Sequence, residues 1–217
     1  MRASYPLAAF FLGAVPIFVW IVAAGVSQTE LPEASDPQDV DADAPWLAVF
    51  GGTEPSAMPI SLAQDSDLLR EALGERGGLL FGGGDRALLQ RTQLRPETLR
   101  SKLGRFFDPR DREVTYVPGP RALAPASLDE VLRALDGIGG GTDPLLLYFG
   151  GHGDGGEVPE DSVLTLWGGA LLGVRDLARV MDAYERPTQV VVTSCFGGGF
   201  SELAFLEGDP RRGPTHA

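Results

Sequence analysis

The hydrophobic pattern of this chain is a series of short apolar runs that stop at glycines, separated by segments with helical periodicity. Trp46-Leu-Ala-Val-Phe50 ends at Gly51-Gly52, and in Gly77-Gly-Leu-Leu-Phe-Gly-Gly-Gly84 a short apolar run lies between glycines. Leu145-Leu-Leu-Tyr-Phe149 runs into Gly150-Gly151, and Val190-Val-Val192 stops before Thr193-Ser-Cys195. Uninterrupted runs of this length bounded by turn residues predict strands buried on both faces. Between them, residues 61–73, 127–138 and 174–184 carry apolar residues at helical spacing. Ser127 stands as an N-cap with Glu130 at the capping-box position. Four strands alternate with three helices, which predicts a mostly parallel α/β sheet with helices on both faces. Val163–Trp167 reads as a small hairpin arm. Residues 85–113 read as a polar surface excursion with a short helix over 96–106, and Val114–Val117 as a brief extended piece.

The N-terminus breaks this pattern. Leu7 to Val26 is almost wholly apolar and long enough to span a bilayer. It predicts an N-terminal hydrophobic helix serving either as a retained signal anchor or as a cleaved signal peptide over residues 1–26. Arg2, ahead of the run, places the following domain outside the cytoplasm, membrane-anchored or secreted. Residues 27–44 are acidic and dotted with Pro and Ser, the composition of a disordered linker. The folded domain is expected over residues 45–217.

Composition narrows the chemistry. A formal net charge of −12 argues against a nucleic-acid partner. A single cysteine excludes an internal disulfide, and no Cys/His cluster has metal-site spacing, so no metal or other cofactor is expected. The glycine-rich turns match neither phosphate-binding pattern.

His152 lies in the glycine turn after one buried run, and Cys195 lies just past the end of another. Carboxyl ends of parallel strands are where sites form in such sheets. A thiol becomes a nucleophile as a thiolate, and a neighbouring imidazole can take its proton and later protonate a leaving amine. The backbone N–H groups of Gly153 and Cys195 are candidate donors to an oxyanion. Asp154 could orient the imidazole, close the turn or contact substrate. Taken alone, Cys195 could be a small buried hydrophobe and His152 a turn residue; their matched placement favours a thiol–imidazole pair. Ser194 lacks the G-x-S-x-G surroundings of a serine nucleophile.

Tyr148-Phe-Gly-Gly-His-Gly-Asp154 followed by Val190-Val-Val-Thr-Ser-Cys-Phe-Gly197 resembles the paired signature of the caspase/legumain superfamily of cysteine peptidases. The legumain-type branch, which includes the catalytic subunit of GPI transamidase, is the most similar. The opening VFGGTEPSAMPISLAQD, the LLFGGGD strand and the LTLWGG arm fit a bacterial group of that branch, and the resemblance runs over residues 45–207. It implies a caspase-like sheet, a His152–Cys195 dyad with Gly153 as oxyanion donor, and hydrolysis of a protein or peptide substrate through a thioester. It also implies that Thr193 and Ser194, just before the nucleophile, shape the substrate pocket. They differ from the Glu-Ala or Gln-Ala of better-known members, so no preference for Asn or Asp carries over. Family members usually continue past the nucleophile into at least one more strand and helix, whereas only Phe196 to Ala217 follow here; a sheet lacking its last strand or strands is expected. A caspase-like domain that binds a peptide partner without turnover is the alternative function.

Overall fold

The computed structural model describes residues 39–94 and 112–215. The apolar N-terminal segment and the helix expected over 96–106 lie outside the described residues, as does His216. Among the described residues no helix is long and apolar enough to cross a membrane.

The four apolar runs form one parallel sheet; the last, expected to be buried on both faces, is instead an edge strand with no fully buried residue, because it has a neighbouring strand on one side alone among the described residues. Its strands are β1 (Trp46–Gly51), β2 (Gly78–Phe81), β5 (Leu145–Gly151) and β9 (Thr188–Val192), in the order β2-β1-β5-β9. Every pairing is parallel, so all four carboxyl ends meet one edge. β1 is buried along its whole length, and its side chains alternate between two cores. Leu47 and Val49 face a core shared with α2 (Leu128–Ile138) and α3 (Val174–Met181). Trp46, Ala48 and Phe50 face a second core with Met58 and with Leu62 of α1 (Ile60–Leu73). Helices therefore cover both faces, as the alternation of runs predicts.

Several local expectations change. α1 buries only Leu62 and Ser66, with Ala63 and Leu69 half-buried. Leu68 is 62% exposed, because the face in contact follows the 62–66–69 stripe and Leu68 lies off it. Ser127 precedes α2, but its hydroxyl makes no cap hydrogen bond. Glu130 is instead engaged by Arg133, whose Nε lies 3.1 Å from Glu130 Oε2, so the capping box does not form.

The stretch read as a surface excursion contains an antiparallel ladder: β3 (Leu88–Leu94) pairs with β4 (Arg112–Pro118) in register from Leu88↔Pro118 to Leu94↔Arg112. Main-chain pairing and one half-buried face suffice here, with Leu89 and Val117 reaching the second core.

The hairpin arm becomes a three-stranded antiparallel sheet of β6 (Gly153–Asp154), β7 (Val163–Thr165) and β8 (Leu171–Gly173). β6 begins one residue after His152.

The end of the acidic segment is held against the domain. Ala44 is buried and Val40 packs on the first core. Buried Arg186 donates from Nη1 to Ala42 O at 2.9 Å and from Nη2 to Ala44 O at 3.2 Å. It also donates to Ile138 O at 3.0 Å and Pro144 O at 3.5 Å, and Nε donates to Asp143 O. A guanidinium taken from water without a carboxylate is sustained here by carbonyl acceptors from three chain segments.

Candidate active site

The site is assembled by strand register. β1 and β5 pair from Trp46↔Leu146 to Gly51↔Gly151, and β5 and β9 from Leu145↔Thr188 to Phe149↔Val192. The ladder continues one step further, with Thr193 N donating to Phe149 O at 2.9 Å. His152 and Cys195 therefore leave the carboxyl ends of neighbouring strands.

His152 is the single residue between the main sheet and the arm. Gly151 before it has φ 130, outside the range of L side chains, and a Cβ there would sit 2.3 Å from Gly51 O. Behind it, Thr165 N donates to His152 O at 2.9 Å and fixes the backbone. The exposed imidazole has Nε2 3.1 Å from Ala57 O, in the turn after β1. A carbonyl only accepts, so the proton of this hydrogen bond is on Nε2, and a neutral ring keeps its lone pair on Nδ1.

Cys195 is exposed, in a turn closed by Gly197 N donating to Ser194 O at 3.1 Å. Phe196 follows with φ 58 and ψ 13, a left-handed conformation that costs a non-glycine residue about 1–3 kcal/mol. The turn bends the chain sharply as it leaves β9.

The two segments touch at Gly153. A Cβ there would lie 2.4 Å from Cys195 O, 2.8 Å from Ser194 Oγ and 3.0 Å from Val163 O, so only hydrogen allows this approach. Gly153 and Cys195, both expected as oxyanion donors, are thus in backbone contact.

The residues expected to contact substrate are placed differently from one another. Thr193 is exposed, with Oγ1 3.1 Å from Tyr148 Oη and 3.4 Å from Phe149 O. Ser194 turns inward: its Oγ is buried against Gly153 and has no hydrogen-bond partner among the described residues. Alternation along the chain sends the Thr193 and Ser194 side chains to opposite sides, Thr193 outward and Ser194 inward. Asp154 is exposed, and its Oδ1 accepts from Gly155 N at 2.9 Å, so the carboxylate closes the turn. The orienting acceptor found for His152 is the Ala57 carbonyl, a main-chain group that carries no side-chain signal. Tyr148, bonded to Thr193, belongs to the apolar run and the motif before His152 but has no site role assigned by the sequence.

Among the described residues no three His, Cys, Asp or Glu side chains converge as metal ligands. No protein-family model matches the chain, and comparison with curated proteins and with solved structures gives no match. What fold and site define is a parallel α/β domain presenting an exposed thiol beside an imidazole-bearing segment at the carboxyl edge of its sheet.

Proposed function

We propose that this chain is a cysteine endopeptidase of caspase/legumain type, with Cys195 as nucleophile and His152 as acid and base. The observation that carries the reading is the contact of the two strand ends, where only a glycine at 153 lets the His152 segment close on Cys195 O. In this scheme Nδ1 of His152 takes the Sγ proton while Ala57 O holds the ring through Nε2. The thiolate attacks the scissile carbonyl, and the N–H groups of Gly153 and Cys195 donate to the oxyanion. The imidazolium gives its proton to the leaving amine, and a thioester remains on Cys195. Water, deprotonated by the same imidazole, hydrolyses the thioester and frees the acid and the thiol. The apolar N-terminal segment, whether retained or cleaved, would direct the domain to act outside the cytoplasm on protein or peptide substrates.

The test is labelling of the full chain with a thiol-reactive peptide warhead over about pH 5 to 9, where perturbed thiols titrate. Wild type is expected to label at Cys195, and His152→Ala to slow labelling by about 10²–10⁴-fold, the usual share of a positioned base. Slow labelling that is indifferent to His152, on folded protein, would leave a binding domain without turnover as the surviving reading.

A further inference from the structure

Beside the Cys195 turn the surface opens into a cavity of about 320 Å³. One wall is the arm segment over residues 155–159, and the other is Phe196 with the backbone beyond it. The volume is at the small end of ligand sites, which run from about 300 to 1,000 Å³. It suits a single side chain better than a cofactor. The walls include two large apolar side chains left in water, Phe196 at 63% exposure and Val158 at 47%. One exposed apolar residue needs no explanation, but two facing one hollow beside a candidate nucleophile mark a binding surface.

The fit of Phe196 is specific. A Cβ on Gly155 would meet its ring at 2.6 Å, so the aromatic wall stands where it does because residue 155 has no side chain. The left-handed backbone of Phe196 holds the ring out beside the thiol.

Charge supplies the second half of the inference. Glu157 lines the cavity, and Asp154, Glu160 and Asp161 belong to the same arm, which has no Lys or Arg before Arg175. Arg211, which feels the charge of Glu160, is itself paired with Asp209 through Nε at 2.8 Å.

We propose that this cavity is a substrate subsite for an apolar side chain, and that the acidic arm selects peptides carrying Lys or Arg next to that residue. The proposal rests on the peptidase reading above and assigns its substrate class as apolar–basic sequences. Burying a Leu-sized side chain and pairing a neighbouring cation at an exposed rim differ in strength, and the first dominates.

The experiment uses the full chain and reads rate constants for Cys195 with iodoacetamide and with peptidyl acyloxymethyl ketones. The ketones are varied one position at a time between Leu and Asp and between Arg and Glu. Leu is expected to exceed Asp by about tenfold or more at one position, the discrimination typical of an apolar pocket. At its neighbour Arg should exceed Glu by about fivefold. Phe196→Ala should shrink the first ratio and Glu157→Lys should invert the second. Each ratio is taken within one variant, so a poorly folded variant loses both rates together and does not mimic the result. His152-dependent labelling with equal rates for all ketones would overturn the subsite and leave the peptidase reading standing. A thiol that reacts with iodoacetamide alone, regardless of His152, would overturn both.

Discussion

Gly153 carries the contact between the His152 and Cys195 segments, and it converts into a prediction about a single methyl group. In Gly153→Ala the new Cβ would fall 2.4 Å from Cys195 O, a backbone atom that cannot rotate away. The Cys195 turn must then move off the His152 segment. Overpacking of this kind costs about 1–3 kcal/mol, and displacement of reacting groups by about an ångström can cost 10²-fold in rate. Thermal unfolding and Cys195 labelling by a peptide warhead, measured side by side, should show a modest loss of stability and a large loss of labelling. Wild-type labelling would contradict the proposed role of this contact. Residues such as His152 and Cys195 stood out in the sequence because their chemistry is rare in this chain and glycines punctuate it beside them. Ala57 could not stand out, because a carbonyl's role depends on the turn that aims it. Ser194 illustrates a further limit: adjacency to Cys195 suggested a substrate contact, while strand alternation turned its hydroxyl inward.

Elements were legible where apolar residues run on without a break, even in the half-exposed edge strand β9. The four runs of the parallel sheet are continuous apolar stretches, and their register follows from two filled cores. β3 and β4 were read as excursion and fragment because their stability comes from ladder hydrogen bonds, which any sequence can make; β3 exposes Arg91, Thr92 and Gln93, and β4 leaves Val114 and Tyr116 in water. The C-terminal turns are likewise built from local polar contacts, and one of them titrates. Asp209 caps the turn Pro210–Arg212, accepting from Arg211 N at 3.0 Å, while Arg211 Nε and Nη2 bond its carboxylate at 2.8 and 2.9 Å. These bonds hold its carboxyl down at about 2. The folded value lies below the unfolded one of about 3.9, so the turn's contribution is present above that value and is lost as the pH falls through 2. Carboxyl carbon shifts followed by NMR should place the Asp209 midpoint near 2; a midpoint near 4 would mean the cap is absent in solution.

For the molecule as a whole, the least visible residue in the sequence does the most to close the domain. Arg186 sits between the helical segment 174–184 and the Cys195 strand, yet it is 4% exposed and bonds carbonyls before β1, at the end of α2 and before β5. Arg186→Leu leaves those acceptors without their donor in a buried place and should destabilise the chain by about 3 kcal/mol or more, since charged hydrogen bonds are worth about 1.5–3 kcal/mol each. Urea unfolding checks it, and a loss under 1 kcal/mol would show that water replaces the guanidinium. Residues 39–44 are held by Arg186 at Ala42 and Ala44, by Val40 on the first core and by the Asp39–Arg133 ion pair, contacts that composition does not show.

The hydrogen bond from His152 to Ala57 joins residues 95 apart in the chain. Contacts of such long sequence separation form late, after the loop-closure entropy of a parallel sheet has been met. The imidazole thus acquires its orientation only when β1 and β5 are already paired. During refolding of the full chain the thiol is present before the imidazole is oriented, and its reactivity would serve as a clock that starts when the sheet closes.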